Sequence, residues 1–226
     1  MDHFRNAEMP FHTSTLSLTD GETIEWMISK STDFIRLMSY YRCAMMEIDT
    51  KLNVLNEEYK LQHDRNPINS TKTRLKSPLS IQGKLIRKGL PLTLENIEYH
   101  LNDVAGIRVV CSFPEDVYTI ADALLAQDDI VLLQRKDYIQ QPKENGYRSL
   151  HLIVTVPIFL TNEKREMKVE IQLRTIAMDN WASLEHQIRY KKERIFTPEM
   201  EEKLAYCAEL SAELDRCMDE LIKNFP

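Results

Sequence analysis

Glycine is scarce in this sequence, with five residues in 226. No two of them have the spacing of a G-x-G-x-x-G or a G-x-x-x-x-G-K-[ST] motif, which excludes both glycine-rich phosphate-binding loops. Any phosphate-bearing ligand would therefore be held by side chains. A chain of this length buries about 70% of its unfolded surface, so it needs no disulfide or structural metal for stability.

Signatures of metal binding, disulfides and membranes are also missing. The four cysteines form no C-x-x-C pair, and no H-E-x-x-H occurs. The sequence has no apolar run of about 18 residues, and its N-terminus has no apolar signal-peptide region. We therefore expect reduced thiols, a cytoplasmic location and no membrane partner.

The charges are unevenly distributed along the chain. Lys and Arg total 29 and Asp and Glu total 35, so the net charge is −6, which disfavours general nucleic-acid binding. Residues 65–94 nevertheless contain seven basic residues and no acidic one. Ser80, Lys84 and Arg87 have the spacing of one helix face, and the helix N-terminus also attracts anions, which favours polyphosphate binding. The alternative is an ordinary solvated helix face.

Apolar periodicity predicts an α+β fold, a mixed β-sheet flanked by helices. We expect a flexible arm over 1–20, a main domain over 21–195 and a C-terminal helical segment over 196–226. Residues 64–80 have loop chemistry, and Ser80 is predicted to cap a short helix. The apolar stripe of the last helix could face another subunit, although core packing is the simpler interpretation. One or two helices are predicted over about 22–63, and further helices over about 81–89, 114–127, 175–192 and 198–224. The predicted strands span about 106–112, 129–134, 149–157 and 167–174.

Polar side chains alternate with apolar ones along three of the predicted strands. Lys168, Glu170, Gln172 and Arg174 share one face of their strand. Arg108 and His151 can lie on the same face of the sheet. This face either lines a cleft or is an exposed, salt-bridged surface. Asp103 precedes the first of these strands, where it either caps a turn or joins Glu170 in holding Mg²⁺.

The loop at 136–151 combines cations with aromatic rings. Lys136, Lys143 and Arg148 can meet phosphates. Tyr138 and Tyr147 can stack on a base. Asn145 and Gly146 form a turn signal, so a plain hairpin loop is the alternative.

Four stretches resemble a known family. They are RLKSPLSIQGKLIRKG (74–89), LNDVAGIRVVCSF (101–113), KDYIQQPKENGYRSLHLIV (136–154) and VEIQLRTIAMDNWASLEH (169–186). They are similar to the small alarmone synthetases, single-domain relatives of the RelA/SpoT synthetase domain. The resemblance implies a nucleotidyltransferase-like fold, a homotetramer, and synthesis without alarmone hydrolysis. It also implies a GTP pyrophosphokinase, which transfers the β,γ-pyrophosphate of ATP to the 3′-hydroxyl of GDP or GTP and yields ppGpp or pppGpp and AMP.

The resemblance also implies roles for individual residues. Arg74 and Arg108 are expected to sandwich the adenine, because a planar guanidinium stacks on a base and an ammonium does not. Asp103 and Glu170 are expected to hold Mg²⁺, with Glu170 also activating the 3′-hydroxyl. The expected ATP phosphate ligands are Lys76, Ser80, Lys84 and Arg87, and the expected guanosine-site residues are Lys136, Lys143, Asn145, Tyr147, His151 and Gln172.

Two alternatives remain at this stage. A nucleotidyltransferase on the related scaffold would release pyrophosphate, but the Gly-Ser dipeptide usual for that class is absent. A non-catalytic RNA-binding module would use the 65–94 segment and the loop tyrosines, and the acidic remainder of the chain disfavours it.

Overall fold

The computed structural model describes residues 31–190 and 197–224 of the chain, so the predicted arm over 1–20 lies outside the described residues. The first described element is helix α1 (Thr32–His63), within the predicted helical region. Its buried side chains recur every three or four residues, as in Tyr41, Met45, Ile48 and Leu52, which gives the helix one apolar face for the core.

Strand β1 (Ile68–Leu75) corrects the prediction of a loop over 64–80. The segment is a polar edge strand in which Ile68 is the one buried residue, so it shows no apolar alternation. Antiparallel pairing with strand β2 (Ala105–Cys111) defines it instead. An edge strand is defined by backbone hydrogen bonds to its neighbour, and these do not require any particular side chains. The loop prediction for this segment was wrong for that reason.

A five-stranded mixed sheet forms the centre of the molecule. It also contains β3 (Val131–Asp137), β4 (Leu150–Phe159) and β5 (Lys164–Thr175), and the spatial order is β1-β2-β5-β4-β3. Strands β2 and β5 are parallel, and the other neighbours are antiparallel. The predicted α+β class is confirmed.

The helices cover the two faces of the sheet unequally, and one face is apolar whereas the other is polar. Helix α1 and α4 (Pro114–Leu125) pack on the apolar face, where alternate residues of the central strands, such as Ile107, Val109 and Ile171, are fully buried. The opposite face carries the polar residues of the same strands. Helices α2 (Pro78–Arg87), α3 (Leu94–His100) and α5 (Ile176–Tyr190) complete this part of the fold, and α3 was not predicted.

The C-terminal helix α6 (Pro198–Asn224) corrects a second expectation. The prediction that its apolar stripe packs in the core is wrong for four residues, each of which is about half exposed. They are Leu210, Leu214, Met218 and Leu221. The helix instead buries Ala208 and Asp215 against the rest of the chain. Among the helices of the described segments, none has the length and apolar composition needed to cross a bilayer.

Candidate active site

One transverse row of polar side chains crosses all five strands. The register places Lys72 opposite Arg108, Arg108 beside Gln172, Gln172 opposite His151, and His151 opposite Lys136. Directly paired residues point to the same face of a sheet. The predicted sharing of one face by Arg108, His151 and Gln172 is therefore confirmed, and this face is partly buried at its centre.

A second row, two residues further along, places the predicted catalytic carboxylate beside an arginine. Arg74 pairs with Gly106, and Gly106 pairs with Glu170. Because Gly106 has no side chain, the space between Arg74 and Glu170 stays open. A cleft of about 320 Å³ is lined by residues of both rows together with Lys76 and Asp103, but not by His151 or Lys136. The row residues that line it are Lys72, Arg108 and Gln172 of the first row and Arg74, Gly106 and Glu170 of the second.

Asp103 lies just before β2 and is bound by two lysines. Its Oδ2 is 2.9 Å from Nζ of Lys76, and its Oδ1 is 2.7 Å from Nζ of Lys84. Burial alone raises the pKa of Asp103, but the hydrogen bonds and charges of the two lysines outweigh it and hold the pKa below its usual range. Asp103 is therefore ionised at neutral pH, and the lysines are fixed at the cleft.

Glu170 shares the cleft and has a different set of partners. Its Oε1 is 3.5 Å from Nδ1 of His151, and Gln172 Nε2 donates a hydrogen bond of 3.1 Å to its Oε2. Burial raises the pKa of Glu170, and so does the charge of Asp103, but the contacts with His151 and Gln172 bring the pKa below its ordinary value. The carboxylate is thus ionised and oriented, which suits a group that accepts a proton.

Three of the predicted guanosine-site residues, Lys143, Tyr147 and His151, form a cluster with Tyr138 next to Glu170. Nζ of Lys143 lies 4.7 Å from the ring centroids of both Tyr138 and Tyr147. The Tyr147 hydroxyl is 2.8 Å from Nε2 of His151 and accepts a hydrogen bond of 2.6 Å from Nη2 of Arg174. These contacts fix the plane of the Tyr147 ring.

The turn before Tyr147 is held by the C-terminal helix. Asn145 Oδ1 accepts a hydrogen bond of 3.2 Å from the backbone N–H of Tyr147, and Gly146 has a positive φ of 84°. A Cβ atom at Gly146 would lie 2.4 Å from the Cβ of Ala208 in α6, so glycine is required on both grounds. The β3–β4 hairpin expected as the alternative does exist, and its loop carries this cluster.

Helix α2 corrects a local prediction. Ser77, not Ser80, is the N-cap, and its side chain accepts the backbone N–H of Ser80 at 3.3 Å. Pro78 then occupies the first turn, where its missing N–H has no cost. Ser80, Lys84 and Arg87 share one face of this helix as predicted, but none of the three lines the cleft, and Lys84 reaches it through its ion pair with Asp103.

Two residues of the cleft region were missed by sequence reasoning. Lys72 went unassigned because its strand was interpreted as a loop. Asp179, in the first turn of α5, binds Arg108 at 3.2 Å and Arg174 at 3.1 Å. Asp179 could have been found from the sequence, because it is an acidic residue at the start of a predicted helix, five positions after Arg174.

A larger cavity of about 1020 Å³ lies between residues 142–145 and helices α5 and α6. It is lined by Lys143 and Asn145, but neither Asp103 nor Glu170 lines it. Asp103 and Glu170 line the smaller cleft instead, and each has a pKa below its ordinary value.

Residues 73–195, which are more than half of the chain, match the family model described as the region found in RelA / SpoT proteins. The chain belongs to the RelA/SpoT family. A RelA/SpoT relative, GTP pyrophosphokinase YwaC of Bacillus subtilis (strain 168), is 46% identical over 203 residues, which cover 90% of this chain and 95% of the relative.

Solved RelA/SpoT structures have the same fold. Small alarmone synthetase 2 from Bacillus subtilis superposes with a TM-score of 0.77 at 43% identity and covers 85% of this chain and 99% of its own. Small alarmone synthetase 1 from the same organism, bound to its product pppGpp, has a TM-score of 0.78 at 33% identity, with 86% and 99% covered. The resemblance to the small alarmone synthetases is confirmed.

Proposed function

We propose that the cleft transfers the β,γ-pyrophosphate of ATP to the 3′-hydroxyl of GDP or GTP, so that the chain is a GTP pyrophosphokinase. Its similarity to a relative of that name and to a product-bound alarmone synthetase supports this activity. The observation that carries it is the placement of Asp103, Glu170, Arg74 and Arg108 around one cleft, with the Tyr147 cluster next to it.

In this proposal ATP occupies the side of the cleft nearest β1 and α2. Arg74 and Arg108 lie on adjacent strands, and their planar cations stack on the two faces of adenine. The phosphates then meet a set of cations whose charges offset those of the polyphosphate. This set comprises Lys72, Lys76 and Lys84, with Ser80 and Arg87 further along the α2 face.

The guanosine nucleotide occupies the other side. Tyr147 is held by Arg174 and His151, so its ring is already oriented to stack on guanine before the nucleotide binds. Lys143 and Lys136 bind the 5′-phosphates, and Asn145 fixes the turn that carries Tyr147. A platform formed in advance reduces the entropic cost of binding the acceptor.

The reaction joins these two sides at Glu170. Glu170 accepts the proton of the 3′-hydroxyl, and that oxygen attacks the β-phosphorus of ATP in line with the bond to the α,β-bridging oxygen. This P–O bond breaks, its electron pair leaves with AMP, and the proton passes from Glu170 to solvent. Gln172 keeps the Glu170 carboxylate oriented throughout.

The donor set of the cleft fits a magnesium ion. Asp103 and Glu170 are ionised carboxylates that line one cleft, and Mg²⁺ is usually bound by one or two carboxylates plus substrate phosphates. Within residues 31–190 and 197–224, no group of three or more metal-ligating side chains is present, which agrees with a site that phosphate oxygens complete. Asp103 and Glu170 would hold Mg²⁺, which when bound would neutralise charge on the phosphates.

The activity is tested by incubating the purified protein with ATP, GDP or GTP, and Mg²⁺, then separating the nucleotides by anion exchange. We expect AMP and a 3′-pyrophosphorylated guanosine nucleotide in equal amounts, and loss of both when EDTA removes the metal. Release of free pyrophosphate instead would indicate a nucleotidyltransferase. Salt-sensitive RNA binding without any nucleotide turnover would indicate an RNA-binding module.

The exposed apolar stripe of α6 supports a homo-oligomer, which we propose to be a tetramer that works in the cytoplasm, where its substrates are found. Leu210, Leu214 and Leu221 are each about half exposed on this helix. A contiguous apolar surface of this kind favours burial against a second copy. Light scattering after size exclusion should give a multimer for the wild type and a smaller species for Leu214→Glu.

A further inference from the structure

We propose that Asp179 is a positioning residue that orients both nucleotide platforms of the cleft, which are Arg108 for adenine and Tyr147 for guanine. Asp179 itself touches neither nucleotide, and the proposal rests on the proposed function. One carboxylate oxygen of Asp179, Oδ1, contacts an arginine on each side of the cleft. It lies 3.2 Å from Nη1 of Arg108 and 3.1 Å from Nη1 of Arg174. Arg108 is assigned to adenine, and Arg174 holds the hydroxyl of Tyr147, which is assigned to guanine.

The carboxylate itself is held firmly in place. Strand β5 ends at Thr175 and α5 begins at Ile176, so no loop separates Arg174 from the turn that carries Asp179. Thr175 Oγ1 accepts the backbone N–H of Met178 at 3.1 Å and caps this first turn. An acidic side chain in the first turn is also favoured by the helix dipole.

Asp179 is an anionic partner of both arginines, and Arg174 also donates a hydrogen bond of 3.0 Å to Oε1 of Gln172. The Nε atoms of Arg108 and Arg174 are buried, and neither has a hydrogen-bond partner within residues 31–190 and 197–224. Removing the Asp179 charge would leave two neighbouring cations without their shared anion, and each would reorient. Arg108 would then lose its position for adenine, and Tyr147 would lose the hydrogen bond of 2.6 Å from Arg174.

If Asp179 orients both platforms, its substitution should change the KM for ATP and the KM for the guanosine acceptor together. Asp179→Asn keeps the side-chain shape and should raise KM about tenfold for ATP and for the guanosine acceptor, since hydrogen bonds to charged groups have this magnitude. Arg174→Lys should raise mainly the acceptor KM, because Asp179 still orients Arg108. Asp179→Glu restores the charge and should recover part of the loss for both substrates.

The matched control is Asp122→Asn, which removes an exposed aspartate that pairs with Arg135 at 3.4 Å on the surface. It should leave both KM values unchanged. Calorimetric titration of α,β-methylene-ATP alone and of GDP alone should show weaker binding of each to Asp179→Asn than to the wild type. A thermal melt of every variant separates loss of folding from loss of position.

The outcomes are distinct. Absence of turnover in the wild type would refute the proposed function. Wild-type turnover together with unchanged KM values in Asp179→Asn, or a rise for one substrate alone, would refute the bridging role. If Asp179→Asn does not fold, Asp179→Glu still decides, because a purely structural Asp179 predicts no shared KM defect for that variant.

Discussion

The Nδ1 atom of His151 lies 3.5 Å from Oε1 of Glu170 on the neighbouring antiparallel strand. The Nε2 atom of the same ring is 2.8 Å from the hydroxyl of Tyr147, which accepts a hydrogen bond of 2.6 Å from Arg174. These contacts connect Tyr147, which is assigned to guanine, with Glu170, which is assigned to accept the proton, so binding of the acceptor and its activation are physically linked.

Glu170→Gln should lower kcat by about 100-fold or more, because a positioned proton acceptor contributes roughly 10²–10⁴-fold. The KM values should change little, since the amide keeps the shape of the carboxylate. Initial rates of AMP formation measure this effect. Glu166→Gln is the matched control, because Glu166 lies on the same strand but is exposed and paired with Lys164. Full turnover in Glu170→Gln would remove the proton-accepting role.

Tyr147→Leu should raise the acceptor KM by about 5- to 150-fold, since base–aromatic stacking contributes roughly 1–3 kcal/mol. Tyr147→Phe keeps the ring and loses the contacts with Arg174 and His151, so a smaller rise is expected. The KM for ATP should stay constant in both variants. Equal effects of the two substitutions would show that the hydroxyl contacts, and not stacking, hold the acceptor.

Gly146→Ala should raise the acceptor KM about tenfold, because a side chain in the left-handed region costs about 1–2 kcal/mol. Its Cβ would also overlap that of Ala208, and both effects displace the turn before Tyr147. The double variant Gly146→Ala with Ala208→Gly removes the overlap and leaves the backbone strain, so it should recover part of the affinity. No recovery would mean that α6 does not restrain this loop.

Asp215 makes the stability of the fold depend on pH. Burial raises its pKa and the charge of Asp219 adds to this, against a hydrogen bond from Thr175 and the charge of Arg148. Between the unfolded pKa of about 3.9 and the raised folded value, the folded state binds more protons, so the contribution of Asp215 to stability falls as pH rises.

This dependence is measured by urea unfolding of the wild type and Asp215→Asn between about pH 4 and 7. The free energy of unfolding of the wild type, relative to the variant, should decrease as pH rises, because asparagine does not titrate. Asp122→Asn, at an exposed position, should show no such trend. A flat or increasing difference would contradict the burial of an aspartate with a raised pKa.

Part of the site could be read from the sequence because strand alternation is a local property. Side chains alternate between the two faces of a strand, which predicted that Glu170 and Gln172 share one face. The same alternation in the neighbouring strands predicted that Arg108 and His151 can lie on that face. The residues of the basic segment were recognised by composition alone. The loop tyrosines were chosen for their chemistry, and the structure places Tyr147 in contact with His151.

Other parts depended on contacts between distant segments. Lys72 joined the polar row only because β1 pairs with β2, and an edge strand with polar residues has no signature of its own. The cap of α2 was misplaced by three residues, since several serines satisfied the same pattern. The stripe of α6 looked like a core face because exposure cannot be read from periodicity.

The amino-acid sequence by itself determined the family, the chemical types of the site residues and the alternation that puts them on one face of the sheet. Tertiary structure alone decided that Asp103 is held by lysines from two segments, that Gly146 abuts Ala208, and that Asp179 connects two arginines. The physical reason is range: alternation and helix periodicity act between neighbours in the chain, whereas ion pairs and packing depend on where folding brings remote residues.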